Sequence, residues 1–326
     1  MRVLLCGGAG YIGTHVALEF LERGDTVGIL DDFSSGLREN VSPKVQLFEG
    51  SILDSNILDS VMGYEWDAVV HLAAFKAAGE SMLDPAKYAH NNITGSLNLI
   101  AACERHGIRQ FILSSSAAVY GEPTYLPIDE KHPTVPENYY GYTKLAIEEN
   151  LAWFAKLKGL RYVSLRYFNA AGYDPRGRMM GMERNPANLI PVVMEVAAGI
   201  RKKVQVFGCD YPTDDGTGVR DYVHVTDLAD AHVRAADYLA KGGDSLVVNL
   251  GSEQGLSVRQ IIDVAHKISG LPIAEEAVGR RLGDPAKLVA SSAKAKEILG
   301  WQARYSTVDS IIATTWKVYD SVGKNR

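Results

Sequence analysis

The sequence predicts an α/β fold with a doubly wound parallel sheet and a smaller α/β lobe that binds the substrate. Short β-branched runs alternate with amphipathic segments in the first half, a glycine-rich loop follows the first run, and the alternation loosens beyond about residue 169. Strands are expected at residues 2–5, 26–30, 45–48, 68–72, 111–113 and 162–166. Amphipathic helices follow them, for example at residues 11–23 and 94–106.

The second half predicts a smaller, loop-rich lobe. Connections rich in glycine, proline and aspartate occupy residues 175–185 and 210–218. The pattern predicts a helix near 188–199, strands at 204–207 and near 222–225, and a helix that Thr226 could cap. A strand at 246–250 and a helix after Ser257 resume the alternation, so we expect the chain to return to the first sheet around residues 220–255. We divide the chain into residues 1–169 and 170–326.

The composition excludes several classes of partner. A formal net charge of −5, without a dense run of lysine and arginine, argues against nucleic acid. No apolar stretch approaches the roughly 18 residues of a membrane-spanning helix, and the N-terminus is typical of a core strand, not of a signal peptide. Three widely separated cysteines indicate a reducing compartment, so we expect a cytoplasmic protein without a membrane partner. The eight histidines show no paired ligand spacing, and His71 is typical of a satisfied core histidine, so no metal is predicted.

A glycine-rich loop follows the first predicted strand. Gly7, Gly10 and Gly13 are spaced so that a pyrophosphate could approach backbone N–H groups at a helix N-terminus without meeting a side chain. Asp31 ends the second predicted strand, 18 residues after Gly13, where a carboxylate can bind a ribose diol and would repel a 2′-phosphate. The alternatives are a tight turn without ligand and, for Asp31, a solvated turn acid beside Asp32. The sequence predicts a Rossmann-type site that favours NAD over NADP.

A tyrosine and a lysine four residues apart open a predicted helix. Tyr140 and Lys144 would share one helix face, although such a pair alone is usually surface packing. A lysine ammonium together with the positive charge of a nicotinamide would favour the tyrosine phenolate. Ser114 and Ser116 follow a buried strand at the end of the sheet where ligands bind, so a serine there could pass a proton to the tyrosine.

Taken together, these features resemble the extended short-chain dehydrogenase/reductase family, and within it the UDP-glucose 4-epimerases, over essentially all 326 residues. The resemblance rests on the glycine loop, on Tyr140 and Lys144, and on residues 76–81, 166–169 and 216–222. The last segment is the most specific to the epimerase branch. The resemblance implies an NAD-binding first part, a UDP-sugar-binding second lobe and a homodimer formed through helices of the first lobe.

The resemblance also implies a role for individual residues. The catalytic residues would be Tyr140, Lys144 and Ser116. NAD would be lined by Gly7, Gly10, Tyr11, Ile12, Gly13, Asp31, Asp32, Ser34, Gly36, Ser51, Ile52, Leu72, Ala73, Lys76, Asn91, Ser114, Ser116, Tyr140, Lys144 and Phe168. The UDP-sugar would be held by Lys76, Ser116, Tyr140, Asn169, Asn188, Leu189, Gln205, Phe207, Arg220, Arg281 and Asp284. The chemistry suits the last group, because arginines pair with a diphosphate bidentately and an aspartate accepts from ribose hydroxyls.

Three positions depart from the family pattern. Cys6 replaces the usual threonine before the glycines and packs comparably. Ser51 replaces an aspartate that accepts from the adenine amino group, which would weaken that contact. Leu288 stands where a tyrosine accompanies glucose and galactose substrates and a small residue accompanies N-acetylhexosamines. Leucine is intermediate and is equally well explained as a packing residue, so it leaves the substrate open.

The resemblance implies inversion at C4 of a UDP-hexose. Tyr140 would take the proton of the 4-hydroxyl while NAD accepts hydride, and the 4-keto sugar would turn and take the hydride back on its opposite face. Epimerases for UDP-GlcNAc/UDP-GalNAc or UDP-glucuronate stay open as alternatives. Another NAD-dependent sugar-nucleotide enzyme on the same fold, a 4,6-dehydratase or a decarboxylase, is a further alternative. The dehydratase is disfavoured, because Ala117 and Ala118 stand where dehydratases carry an Asp-Glu pair. A non-catalytic NAD-sensing protein is disfavoured because Ser116, Tyr140 and Lys144 are all retained.

Overall fold

The computed structural model describes residues 1–179, 181–183, 186–281 and 284–323. Its central sheet consists of β1 (Arg2–Cys6), β2 (Thr26–Asp31), β3 (Gln46–Glu49), β4 (Ala68–His71), β5 (Gln110–Ser116), β6 (Arg161–Tyr167) and β10 (Leu246–Leu250). Its seven strands are all parallel and lie in the order β10-β6-β5-β4-β1-β2-β3. The reversal of strand order between β1 and β4 creates the crevice in which doubly wound folds bind nucleotides.

Helices cover the sheet and build most of the second lobe. They are α1 (Tyr11–Arg23), α2 (Ser55–Met62), α3 (Ala78–Leu83), α4 (Pro85–Tyr88), α5 (Gly95–Arg105), α6 (Tyr139–Lys158), α7 (Leu189–Ala197), α8 (Val225–Ala240), α9 (Val258–Ser269), α10 (Ala293–Leu299) and α11 (Val308–Gly323). Short 3-10 turns occupy Arg38–Asn40 and Ala117–Val119, and a π-helix occupies Ala89–Thr94 directly before α5.

The central sheet is buried on both faces, as its near-continuous apolar strands require. Side chains alternate along β1, so that Val3 and Leu5 pack in a cluster with residues of α1 and α8. Leu4 and Cys6 point the other way, into a cluster built from α2, α5 and α6. Burying an aliphatic side chain of this size contributes about 1.5–3 kcal/mol, so these two clusters hold the layers together. The predicted α/β fold class is confirmed.

The remaining strands are short and lie outside the central sheet. They are β7 (Asn169–Ala171), β8 (Val204–Phe207), β9 (Val219–His224), β11 (Gly255–Ser257), β12 (Glu275–Val278) and β13 (Lys287–Leu288). β8 pairs with β12, whereas β9 lies between β11 and β13 and also pairs with β7. An apolar cluster of α7, α9, α11 and β8 packs this lobe. The division of the chain at residue 169 stays our proposal.

The helix α8 is capped differently from the expectation. The N-cap is His224, whose ring nitrogen Nδ1 accepts the backbone N–H of Thr226 at 3.1 Å. Thr226 therefore lies inside the first turn and does not cap the helix, and the preceding strand begins at Val219, before the expected residue 222. A buried imidazole supplies the acceptor that serine, threonine, aspartate or asparagine usually provides.

Candidate active site

The glycine loop closes tightly between β1 and α1. Gly7 has a φ of +85°, and a Cβ on Gly13 would lie 2.4 Å from the Gly7 carbonyl oxygen. Gly10 caps α1 without a side-chain hydrogen bond, so no side chain occupies the place of a cap in front of the first helical turn. First-turn N–H groups and the helix dipole attract anions. The loop therefore fits the pyrophosphate of a dinucleotide.

The Asp31 carboxylate joins the glycine loop to the loop that follows β2. Its buried carboxylate accepts the N–H groups of Ala9 and Phe33, both at 2.9 Å. Burial raises the pKa of Asp31, and the two backbone donors counteract that rise. The neighbouring Asp32 is exposed and accepts the N–H of Ser34 at 2.9 Å. Because a carboxylate has about four acceptor sites, Asp31 retains capacity for a ribose diol.

Positions after β4 and at the start of α1 lie beside the glycine loop. The N–H groups of Leu72 and Ala73 donate to the Cys6 carbonyl at 2.8 and 2.9 Å, which brings this segment against the loop. The Tyr11 hydroxyl donates to the carbonyl of Gly172, beyond β7. Tyr11 thus joins the first helix to the second lobe.

Other expected cofactor residues are held by packing or by a local hydrogen bond. Ile12 is half-buried against the α1 core, and Gly36 and Ile52 are buried. The Ser51 hydroxyl accepts the N–H of Leu53 at 3.2 Å, so that oxygen already has one donor before any adenine approaches.

Asn91 lies in the π-helix beside a buried residue that the sequence did not single out. Its amide donates to the Asn92 side-chain oxygen at 3.0 Å. Asn92 exchanges hydrogen bonds with the backbone of Phe75 at 2.9 and 3.0 Å and donates to the Thr143 hydroxyl at 3.2 Å. It therefore ties the loop after β4 to α6. The π-helix places it there, a feature that apolar periodicity does not reveal.

The tyrosine and the lysine project from the first turns of α6. Asn138 caps this helix by accepting the Gly141 N–H at 2.9 Å. The Lys144 ammonium donates to the Ser114 carbonyl at 2.8 Å and lies 6.0 Å from the centre of the Tyr140 ring. The Ser116 hydroxyl lies near the Tyr140 phenol and acts to lower its pKa. The fold thus assembles the three expected catalytic groups at the carboxyl end of β5.

Burial dominates the electrostatics of this group. It raises the pKa of Tyr140, and the Ser116 hydroxyl counteracts the rise. It lowers the pKa of Lys144 to about 8, against the opposing effect of the Glu148 carboxylate. The expected help of Lys144 to the phenolate is therefore not visible in the chain alone, where burial raises the pKa of Tyr140 and Ser116 is the group that opposes the rise.

The expected substrate residues of the second lobe share one cleft. The cleft has a volume of ≈ 820 Å³. Its lining includes Asn169, Asn188, Leu189, Gln205, Phe207, Arg220, Arg281 and Asp284. The Arg281 guanidinium stacks 3.7 Å from the centre of the Phe207 ring, and Arg220 forms an ion pair with Asp284. Tyr222, which was not among the expected substrate residues, also lines the cleft. It lies on β9 in register with Asn169, and this neighbour was the available signal that Tyr222 belongs to the cleft.

Leu288 joins the cleft to the catalytic end of the sheet. It pairs in register with Arg220 and packs against the cluster that contains Val119 and Phe168. Val119 belongs to the 3-10 turn that follows Ser116. Leu288 therefore lies where it can limit space between an anchored nucleotide and the reacting groups.

Two expected ligand residues have protein partners. Lys76 forms an ion pair with Glu183, a contact between the loop after β4 and the second lobe. The Ser114 hydroxyl is buried and lies 2.8 Å from the His232 ring nitrogen Nε2, while the Ser114 carbonyl holds Lys144. The roles given to Lys76 and Ser114 stay predictions.

His71 is only half satisfied, in contrast to the expectation of a satisfied core histidine. The Ser96 hydroxyl donates to the Asn92 carbonyl, so the same oxygen accepts from His71 Nε2 at 2.7 Å. Nδ1 is buried and has no hydrogen-bond partner among the described residues. Burial lowers the pKa of His71 to about 3, which keeps the ring neutral.

Sequence reasoning missed a buried polar network behind the catalytic group. Glu148 accepts the Ser115 hydroxyl at 2.5 Å and forms an ion pair with Arg166. Arg166 also donates to the Tyr120 hydroxyl at 3.0 Å, and Tyr120 donates to Asn249 at 2.6 Å. The spacing of Glu148 four residues beyond Lys144 was the available signal.

Comparison with known proteins agrees with this geometry. Residues 3–251 match the model of the NAD dependent epimerase/dehydratase family. The chain belongs to this family. The family is NAD-dependent, which confirms the cofactor expected from the glycine loop and Asp31.

Similar proteins cover nearly the whole chain. A UDP-glucose 4-epimerase of Halalkalibacterium halodurans is 45% identical over 318 residues, which are 97% of this chain and 95% of the relative. The crystal structure of UDP-glucose 4-epimerase from Brucella ovis in complex with NAD has a TM-score of 0.95 at 43% identity and covers 98% of each chain. A UDP-glucose-4-epimerase from Stenotrophomonas maltophila, solved with NAD and formylated UDP-arabinopyranose, has a TM-score of 0.96 at 37% identity and covers 100% of each chain.

Within the described ranges no group of three or more His, Cys, Asp or Glu side chains is arranged to hold a metal ion. No helix in the part of the chain that the structure describes combines the length and apolarity needed to cross a membrane.

Proposed function

We propose that this member of the epimerase family interconverts UDP-glucose and UDP-galactose by inverting the configuration at C4. One observation carries the proposal: a single cleft brings together a guanidinium stacked on an aromatic ring and an Arg-Asp pair, and Leu288 joins its wall to the catalytic group of α6. This arrangement suits an anchored nucleoside diphosphate with its sugar directed toward a phenol.

NAD would lie along the carboxyl ends of β1, β2, β4 and β5. The glycine loop would hold its pyrophosphate and Asp31 its adenosine ribose, and Tyr140 and Lys144 would meet its nicotinamide end. Bound NAD supplies the hydride acceptor for C4 of the sugar and a positive ring charge near the phenol.

Tyr140 would take the proton of the sugar 4-hydroxyl and later return it. Ser116 lies near the phenol and acts on its pKa, so it would orient the reacting oxygen and share its proton. The Lys144 ammonium would stabilise the phenolate that forms. Because burial raises the pKa of Tyr140 in the chain alone, ionisation needs positive charge at this end of the site.

The cleft would anchor the UDP while the 4-keto sugar turns. Arg220 and Arg281 would pair with the diphosphate, and Asp284 would accept from ribose hydroxyls. Phe207 and Leu189 would form the apolar wall for the uracil. Firm binding of the unreacting nucleotide leaves the hexose free to present its opposite face.

A product assay tests the function. The purified protein with NAD is incubated separately with UDP-galactose, UDP-GalNAc and UDP-galacturonate, and the products are resolved by chromatography. We expect rapid formation of UDP-glucose, with a slower reaction or none for the other two. Failure to convert any of the three would refute the proposal, and selective conversion of UDP-GalNAc or UDP-galacturonate would replace its substrate.

We further propose that the protein works in the cytoplasm as a homodimer formed through helices of the first lobe. Its three cysteines are all free in the structure, as a reducing compartment requires. α6 exposes Trp153 and Leu157, at 58% and 66% of their surface, which a partner subunit would cover. Light scattering of the purified protein tests the dimer.

A further inference from the structure

We propose that Glu148 is a positioning residue that keeps the buried Lys144 side chain protonated, with Arg166 holding its carboxylate in place. The inference rests on the proposed function, because Lys144 acts on the sugar only through Tyr140.

The two residues occupy the same face of α6. They are four residues apart, one helical turn, and residues at this spacing are neighbours on a helix. Lys144 is 3% exposed and Glu148 is 5% exposed, so water does not screen the interaction between them as it would on a surface. Both side chains reach β5, at adjacent residues. Lys144 contacts the Ser114 carbonyl, and Glu148 contacts the Ser115 hydroxyl.

The Glu148 carboxylate cannot turn away. Oε1 accepts the Ser115 hydroxyl at 2.5 Å and Arg166 Nε at 3.0 Å, and Oε2 accepts Arg166 Nε at 3.1 Å and a second guanidinium nitrogen. The third guanidinium nitrogen donates to the Tyr120 hydroxyl at 3.0 Å, which fixes Arg166 in turn. A carboxylate held by this many donors is immobile.

Among the residues that the structure describes, the other groups around Lys144 offer it no negative charge. From β5 it receives the neutral Ser114 carbonyl, and from its own helix the Tyr140 phenol, whose raised pKa keeps it protonated in the chain alone. From β4 the ring of His71 faces it, and burial keeps that ring neutral. Glu148 is therefore the anion that opposes the loss of the lysine proton, while Arg166 partly offsets it.

The Glu148 carboxylate matters because burial alone would favour the uncharged form of Lys144. Desolvation already lowers the pKa of Lys144 to about 8 with Glu148 in place. An uncharged amine could no longer stabilise the Tyr140 phenolate. Glu148 thus supports the reaction without touching substrate or cofactor.

The test compares Glu148→Gln with Glu149→Gln, which removes the same charge from the exposed neighbouring position of α6. For each variant, kcat/KM for UDP-galactose is measured from pH 6 to 10. We expect Glu148→Gln to move the alkaline fall of kcat/KM to lower pH by about one unit, the lower end of the shift that a close opposite charge produces. Glu149→Gln should leave its position unchanged.

A second measurement does not depend on turnover. A buried lysine with a lowered pKa makes the folded protein more stable as pH rises from the folded toward the unfolded pKa, because the unfolded chain binds more protons there. Urea unfolding of Glu148→Gln should show this rise beginning at lower pH than in the wild type. Glu149→Gln should follow the wild-type curve.

Several outcomes would overturn the inference. A rate lowered by one factor at every pH, with the alkaline fall unmoved, would make Glu148 a structural residue only. If Glu148→Gln does not fold because Arg166 is left unpaired, the double variant Glu148→Gln/Arg166→Gln is compared with Arg166→Gln, which retains Glu148, and an alkaline fall at the same pH in both rejects the proposal. An inactive wild type would instead reject the proposed function.

Discussion

The catalytic end of the sheet and the second-lobe cleft use charge in opposite ways. At the catalytic end Lys144 is buried against a backbone carbonyl, and its pKa is about 8 because water is excluded. In the cleft, Arg281 lies exposed over Phe207, and Arg220 pairs with Asp284 at a partly exposed position. The buried group is suited to controlling a proton, whereas the exposed groups are suited to holding an anion. Substitutions at the two places should therefore separate turnover from affinity.

The largest expected effect is the loss of the phenol. Tyr140→Phe removes the only atom that can take the 4-hydroxyl proton in the proposed reaction, so we expect kcat to fall by about 10²–10⁴-fold, the usual contribution of a general acid-base. Stopped assays with UDP-galactose measure it, and NAD content and thermal unfolding should stay near wild type. Tyr142→Phe, at an exposed tyrosine two residues along α6, is the matched control. Retention of most of the rate by Tyr140→Phe would contradict the assignment.

A smaller effect, on affinity, is expected in the cleft. Arg281→Ala should raise KM for UDP-galactose by about 10-fold, the lower part of the range for a hydrogen bond to a charged group, because Arg281 is exposed. The value of kcat should change little. Arg259→Ala removes a partly exposed arginine that pairs with Glu275, and its KM should not change. A fall in kcat at unchanged KM for Arg281→Ala would contradict the proposed division between a cleft that sets affinity and a buried group that sets turnover.

The pH dependence should report the buried region alone. With a folded pKa of about 8, Lys144 loses its proton as pH rises through that value. We expect kcat/KM to fall about tenfold for each pH unit above it, as one required proton predicts. Measurements of kcat/KM from pH 6 to 10 check this. Activity that stays constant to pH 10 would show that the lysine charge is not needed or that its pKa is not lowered.

An effect on selectivity, and not on the overall rate, is expected where the two regions meet. Leu288→Ala should raise the ratio of kcat/KM for UDP-GalNAc to that for UDP-galactose by about 10-fold, since a few methylenes in a pocket are worth about this much discrimination. Competition between the two sugars measures the ratio. Leu271→Ala, at an exposed leucine, provides the control. An unchanged ratio in Leu288→Ala would leave Leu288 as a packing residue.

Elements formed by local pattern could be predicted closely. The helix Tyr11–Arg23 and the strands Val204–Phe207 and Leu246–Leu250 have the predicted bounds, because apolar periodicity and the flanking glycines act within each segment. The cap of α8 could not be predicted, because Thr226 and His224 both offer an acceptor. Only the burial of β9 decides which of the two is used.

The candidate site shows the same limit to what local sequence patterns can predict. Spacing in the sequence was enough to place Tyr140 and Lys144 on one face and to single out the glycines. It was not enough to show that Ser114 turns its hydroxyl to His232, or that Lys76 reaches Glu183 across the chain. These contacts join residues more than a hundred positions apart, so no local pattern encodes them.

By itself the sequence determined the alternation of strands and helices, the nucleotide loop and the types of reactive group, because each depends on residues close together in the chain. The tertiary structure alone decided which face of α6 is dry, which acid stands beside Lys144, and which residues of the second lobe share one cleft. The physical reason is that desolvation and Coulomb interaction depend on distance in space, and only the folded chain sets that distance.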